Sequence, residues 1–163
     1  MAHRPPSATP ALRICEAAGI SYEVHTYAHQ PGMSGYGTQA AQALGVSTDQ
    51  LFKTLIVDVD GEAVCVVVPV SHQAAMKAIA SAHAGKHAEL VAASRAERLT
   101  GYVLGAVSPL GQRTTLPTYL DQSAVNLPTI YVSAGKRGRQ VQLDPMDLHR
   151  LTHAVIAPLT SPS

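Results

Sequence analysis

Two β-branched, apolar runs, Phe52 to Val59 and Ala63 to Val70, are joined by Asp60-Gly61. An Asp-Gly pair readily takes the left-handed backbone that a two-residue hairpin turn demands, and such turns match the twist of the strands they join. The segment therefore predicts an antiparallel hairpin, and the rest of the chain must fold around it. Cys65 lies inside the run Ala63-Val64-Cys65-Val66-Val67-Val68 and reads as a small core hydrophobe.

The elements before the hairpin follow from punctuation. Thr9 can cap a helix from Pro10 to Ala18, with proline in its first turn and Gly19 as the stop. Ile20 to Tyr27 alternates apolar and polar residues and predicts a strand. His29 to Gly37 carries Pro31, Gly32, Gly35 and Gly37 and reads as a loop. Thr38 to Leu44 predicts a short Ala-rich helix ending at Gly45.

After the hairpin, Gln73 to His83 and Ala92 to Leu99 predict helices stopped near Gly85 and at Gly101. A stretch punctuated by glycine and proline runs from Gly101 to Pro117. Thr129 to Ser133 and Gln140 to Leu143 predict a second strand pair around the loop Ala134 to Arg139. Pro145 to Leu151 reads as a helix and His153 to Ala157 as a short last strand. Strands and helices mix without βαβ alternation, which predicts an α+β fold, a compact single domain on a mainly antiparallel sheet. Residues 1–9 are expected to form a flexible tail, 10–157 the domain, and 158–163 a frayed end.

The chain has 163 residues, 46% of them hydrophobic, a composition that supports one globular core. It has no Trp and a single Phe, so Ala, Val, Leu and Ile must fill that core. Formal net charge is +1, too small for the whole molecule to attract a polyanion strongly. Any RNA affinity must come from a local patch, a pocket or a partner. The N-terminal residues contain no apolar stretch of a secretion signal, and no apolar run approaches the ~18 residues of a membrane helix. The expected location is the cytoplasm, with no membrane association. Cys15 and Cys65 do not make a disulfide framework.

Four features bear on chemistry. Strand alternation puts Lys53 with Leu55, Val57 and Val59 on the more apolar face of its strand. A lysine there either snorkels at the strand end or points into a cavity. The segment Gly105-Ala106-Val107-Ser108-Pro109-Leu110-Gly111 could present backbone N–H groups to a carbonyl or phosphate oxygen, or simply connect strands. Ser133-Ala134-Gly135-Lys136-Arg137-Gly138-Arg139 sets two glycines among three cations, suiting phosphate contact or a solvated hairpin turn. Ser133 has no evident Asp–His relay, so no serine-hydrolase triad is indicated. The eight histidines include the pairs His25/His29, His83/His87 and His149/His153, but no HExxH and no CxxC accompany them. No metal and no cofactor are expected.

Taken in order, several segments resemble the YbaK/EbsC family, the Cys-tRNA(Pro) deacylases related to the prolyl-tRNA synthetase editing domain. They are His25-Thr26-Tyr27, Phe52-Lys53-Thr54-Leu55, Thr100-Gly101-Tyr102, the stretch Gly105 to Gln112, Leu116-Pro117-Thr118, and Ile130 to Gly138. The resemblance runs from about Pro10 to Ala157. It implies a mixed, partly barrel-like sheet with flanking helices and one cleft. Lys53 would be the family's essential lysine, at the tRNA 3′ end and the ester. Gly105 and Pro109 would end the GxxxP motif whose backbone holds the aminoacyl group. Tyr27 and Ser133 would line the pocket, and Gly135, Lys136 and Arg137 would contact substrate. Gln140 stands where family members can carry an aspartate.

The activity so implied is hydrolysis of mischarged Cys-tRNA(Pro), with Cys-tRNA(Cys) as a further substrate, through attack of the substrate's own thiol on its ester. Such an enzyme needs no protein nucleophile; it needs oriented groups, dipoles aimed at the oxyanion and a cation near the ribose and phosphate, and Lys53, the Gly105 loop and Ser133 are the catalytic residues that would supply them. Prolyl-tRNA synthetase is the implied protein partner. Two rivals remain: a deacylase of Ala- or Ser-tRNA(Pro) using water, and a non-catalytic module that binds aminoacyl-tRNA.

Overall fold

A computed structural model describes residues 8–28 and 36–161. The first seven residues and most of the loop expected over His29–Gly37 lie outside them. The hairpin forms where its sequence demands. Strands β2 (Phe52–Val59) and β3 (Glu62–Pro69) pair antiparallel from Phe52↔Pro69 to Val59↔Glu62. Asp60 and Gly61 take φ of 51° and 94°, as a tight primed turn requires. The Gly61 N–H donates to Asp58 Oδ1 at 2.8 Å and fastens the turn.

Alternation along the hairpin feeds two cores. On β3, Ala63, Cys65 and Val67 join the main core, while Val64, Val66 and Val68 join a second. With both faces covered, the apolar run has no reason to alternate. On β2, Phe52 and Ile56 face the main core, and Val57 and Val59 the second.

The hairpin centres a five-stranded sheet of order β4-β2-β3-β5-β8, completed by β4 (Ala88–Leu90), β5 (Thr118–Asp121) and β8 (Val155–Ala157). β4 joins antiparallel, whereas β3–β5 and β5–β8 are parallel. Helix α3 (Met76–Ala82) covers the second core through Ile79 and Ala80. The other sheet has order β1-β7-β6, all antiparallel, from β1 (Tyr22–Thr26), β7 (Arg139–Leu143) and β6 (Ile130–Lys136). The main core lies between the sheets, where Ile130, Val132, Val141 and Leu143 share a cluster with Phe52, Cys65, Val67 and Leu120. Each of the larger side chains contributes about 1.5–3 kcal/mol by leaving water.

Helices close this core. α1 (Pro10–Ala18) starts at Thr9, whose Oγ1 accepts the Leu12 N–H at 3.2 Å and donates to the Ala134 carbonyl at 2.5 Å. One hydroxyl thus caps the helix and ties it to β6. Gly19 ends it at φ 67°. α5 (Pro145–Thr152) is capped by Asp144 and delivers Leu148 to the same core. α4 (Ala93–Thr100) stops at Gly101. α2 (Tyr36–Leu44) sets Ala40 and Ala41 over Leu51 and Tyr131, a third cluster.

The structure departs from expectation in four places. The sheets do not close into a partial barrel. Among the described residues they are joined by the single bridge Leu51↔Tyr131, and β2 and β6 share no ladder beyond it; one bridge cannot carry a continuous ladder around a barrel. β4 has two of its three residues exposed, so it carries no periodic signal. β5 follows directly on the stretch that glycine and proline punctuate, in residues for which no strand is expected, and pairing with β3 and β8 makes it a strand. The chain also stays packed past Ala157. Leu159 is fully buried, its N–H donates to Asp121 Oδ1 at 2.9 Å, and Ser161 N–H reaches the Gln73 carbonyl at 3.0 Å. No helix of the described residues is long and apolar enough to cross a membrane.

Candidate active site

Where β2 and β6 part, a cavity of about 470 Å³ opens. This is the size of sites that hold small organic groups, roughly 300–1,000 Å³. Lys53, Thr54 and Leu55 come from the large sheet. Ser133 and Gln140, paired across the small sheet, form another wall with Tyr27, which follows β1. Tyr36, Gly37 and Thr38 at the start of α2 and Leu104, Gly105 and Val107 from the loop after α4 complete it.

Lys53 therefore points at a cavity, the second of the two readings its strand position allows. It is half-buried, and that burial lowers the pKa of its ammonium below the ordinary lysine value. All eleven acidic residues of the chain lie in the described segments, and none lines the cavity. Among the described residues Lys53 is thus the only formally charged side chain on the cavity wall.

Ser133 does not stand as a nucleophile beside a base. Its Oγ donates to the Ala106 carbonyl at 2.9 Å and accepts the Gly135 N–H at 3.1 Å. The hydroxyl fastens the loop after Gly105 to β6, at the bulge between Ser133 and Lys136. Beyond Gly105 that loop dives inward: Ala106 and Ser108 are fully buried. Among the described residues, neither the Gly105 nor the Val107 N–H has a protein acceptor. Gly105 has φ 86°, and a Cβ on it would come within 2.9 Å of the Tyr36 ring. Glycine is required there for conformation and for contact.

Gln140 is 8% exposed. Its Nε2 lies 3.5 Å from the Tyr27 hydroxyl, and its Oε1 has no partner, like Thr54 Oγ1 on the same wall. The cavity wall at this position presents neutral polar atoms and no carboxylate.

The remaining expected site residues sit elsewhere. Pro109 is buried and borders a separate depression of about 340 Å³ with Leu110 and Gln112. Gly135, at φ 95°, packs on Tyr102, whose ring a Cβ would approach to 2.6 Å. Lys136 is exposed at the end of β6. Arg137 turns back: its Nε and Nη2 donate to the Leu104 carbonyl at 2.9 and 2.6 Å, and its guanidinium carbon lies 5.2 Å from the centre of the Tyr36 ring. Tyr36 and Leu104 were not legible as site residues. The one signal for Tyr36 was a tyrosine between two glycines in a chain without Trp.

The cysteines keep away from the cavity. Both are fully buried, and burial raises each thiol to about 11, which leaves almost no thiolate at neutral pH. His83, of the pair His83/His87, bonds instead to Tyr119 at 2.5 Å and to Glu62. Among the described residues no group of three or more His, Cys, Asp or Glu side chains could hold a metal ion.

A lone lysine, unpaired backbone donors and no acid suit the cleavage of an ester whose oxygen develops negative charge, which is the work of an acyl-transfer hydrolase. The comparisons narrow the class. The aminoacyl-tRNA editing domain pattern matches residues 31–151, and the chain belongs to that family, as an aminoacyl-tRNA deacylase. It is 32% identical over 154 residues, 94% of this chain and 93% of the other, to the Enterococcus faecalis protein called "Putative Cys-tRNA(Pro)/Cys-tRNA(Cys) deacylase EbsC". A Bacillus subtilis protein, YwhH, is 25% identical over 118 residues, 72% of this chain and 75% of that one. A solved structure described as "a putative trans-editing enzyme for prolyl tRNA synthetase" superposes with TM-score 0.82 at 25% identity, over 98% of this chain and 100% of that one.

Proposed function

We propose that the protein deacylates Cys-tRNA(Pro), and Cys-tRNA(Cys) as a second substrate, using the cysteinyl thiol of the substrate as the nucleophile. The observation that carries this reading is a cavity with one lysine, no carboxylate, and a serine whose proton is donated to a backbone carbonyl. Among the described residues no carboxylate or histidine stands on that wall to take a proton from a protein nucleophile or a water. A substrate that brings its own acidic nucleophile needs neither.

In the proposed reaction the cysteinyl thiolate attacks the ester carbonyl carbon. The carbon–oxygen bond to the ribose breaks, the ribose oxygen takes up a proton, and water then opens the resulting thiolactone to free cysteine. Lys53 favours the thiolate over the thiol and stabilises the anionic tetrahedral carbon, because a cation in a half-buried site acts through less water. The Gly105 and Val107 N–H groups are the donors for the carbonyl oxygen. Tyr27, Ser133 and Gln140 shape the acyl pocket, and Pro109 and Gly135 hold the loops that flank it. Lys136, with Arg139, takes the tRNA backbone. Rejection of other amino acids follows from requiring a thiol in the reaction itself, a sharper criterion than a difference of one methylene in fit. Prolyl-tRNA synthetase is the proposed partner that presents the tRNA.

Deacylation of Cys-, Ala- and Ser-charged proline tRNA by the purified protein tests the reading. Rapid loss of cysteine alone is expected. Equal or faster loss of alanine or serine would replace the thiol mechanism with a water mechanism, and no loss of any would leave only a binding module.

A further inference from the structure

Arg137 sits in a Gly-Lys-Arg-Gly turn whose sequence invites a phosphate contact, yet its side chain is already occupied. The guanidinium has five N–H donors in one plane. Nε and Nη2 converge on the Leu104 carbonyl, and one face lies over Tyr36. The other end of the same residue is held as well: the Leu104 N–H donates to Glu97 Oε2 at 2.9 Å. One residue of the cavity rim is thus bracketed by a carboxylate on its amide and a guanidinium on its carbonyl.

That residue has little else to hold it. Leu104 is 51% exposed, and Val103 before it is 53% exposed, so apolar burial does not fix this turn. Gly105 follows directly, against the ring on which Arg137 stacks. The bracket therefore fixes three things together: the rim residue Leu104, the Gly105 backbone, and the Tyr36 wall.

We infer that Glu97 and Arg137 are positioning residues for the deacylation proposed above: they hold the rim loop in its catalytic geometry, and Arg137 is not a phosphate ligand. The reading rests on that proposed function, but it makes its own claims. A phosphate ligand and a repelling acid would act oppositely on binding: Arg137→Ala would weaken tRNA binding and Glu97→Ala would strengthen it. Two halves of a bracket act alike. Arg137→Ala and Glu97→Ala should each lower kcat by roughly ten- to a hundredfold, the scale of loss for a catalytic group displaced by about an ångström. The double variant should fall no further than the worse single one. Arg137→Lys, which can donate to the carbonyl without forking, should recover part of the loss.

The discriminating experiment measures kcat, KM and their salt dependence for wild type, Arg137→Ala, Glu97→Ala and the double variant. It is paired with hydrogen exchange at the Leu104 and Ala106 amides of the same proteins. Expected are lowered kcat in both single variants, a log–log salt slope like that of wild type, and faster exchange at Leu104. Removing a true phosphate contact flattens that slope by about 0.7–0.9. An Arg137→Ala enzyme with wild-type kcat, raised KM and a flattened slope, alongside a Glu97→Ala enzyme with lowered KM, would overturn the bracket in favour of the phosphate reading. Should wild type deacylate nothing, the function reading fails by itself. The exchange arm still decides the bracket, since unchanged Leu104 exchange in both variants refutes it.

Discussion

Gly135→Ala separates a structural glycine from one that makes room for substrate. Gly135 holds φ 95°, and an added Cβ would come within 2.6 Å of Tyr102 Cε1 and 3.3 Å of Thr9 Cβ. The left-handed backbone costs an L side chain about 1–2 kcal/mol. The ring must also move, and its hydroxyl donates to the Leu110 carbonyl at 2.6 Å in a buried setting. Stranding that carbonyl costs about 1–3 kcal/mol more. The sum is about 2–5 kcal/mol, a large share of the roughly 5–15 kcal/mol that holds a domain together. At roughly 2–4 °C per kcal/mol for a chain of this length, Tm should fall by about 4–20 °C. Urea and thermal unfolding of wild type, Gly135→Ala, Tyr102→Phe and the double variant supply the assay. Because the Tyr102 hydroxyl can be lost only once, the double variant should be less destabilised than the two singles added. Gly135→Ala within about 0.5 kcal/mol of wild type, the usual effect of a neutral surface change, would refute the wedge. If that stable variant were inactive, Gly135 would belong to the substrate site instead.

Other outcomes follow from the site and the cores. Lys53→Met should abolish deacylation and leave the fold as stable or more stable, seen by assaying activity and unfolding together. Burial lowers the Lys53 pKa, so its charge destabilises the fold below the folded pKa, and this cost disappears as pH rises past the ordinary lysine value. Activity that needs the ammonium should accordingly fall at alkaline pH earlier than free lysine titrates, and a pH–rate profile extending unchanged to that range would contradict it. The Cys15→Ala, Cys65→Ala double variant should keep its turnover while losing stability, about 0.5–3 kcal/mol per site as for most single changes; lost turnover in a folded protein would mean a protein thiol takes part. The isolated protein should deacylate Cys-tRNA(Pro) and Cys-tRNA(Cys) at similar rates, because a few backbone contacts carry no sequence information. Added prolyl-tRNA synthetase should confine it to proline tRNA, and a strong preference without synthetase would refute that division of labour.

The elements that could be read ahead of the structure are those whose signals are local. The Asp60-Gly61 hairpin, the Thr9 and Gly19 ends of α1 and the Gly101 stop of α4 depend on backbone conformations that neighbouring residues dictate. β5 depends on strands more than fifty residues before and thirty after it, and no local pattern encodes that. The same holds within the site. Strand alternation identified Lys53 as out of place, but whether it faced water or a cavity was decided by the divergence of β2 from β6. Arg137 looked like a surface cation because its carbonyl partner, Leu104, belongs to another loop. Family resemblance brought Tyr27, Gly105 and Ser133 to one cavity; Tyr36 and Leu104 were missed, since neither carries chemistry of its own.

The single bridge between Leu51 and Tyr131 has a consequence for how such a site adapts. Lys53 rides on one sheet, and Ser133 and Gln140 ride on the other. Within each sheet the strands share hydrogen bonds, whereas among the described residues the seam between the sheets is joined by one bridge and by packing. Exchanging Val141 for isoleucine in the core between the sheets, a residue that does not line the cavity, would therefore shift the lysine's sheet against the serine's and alter the span a substrate must bridge. Pocket width becomes a quantity that remote core residues can adjust in small steps while every lining residue stays the same, and relatives with identical walls can differ in what they hydrolyse.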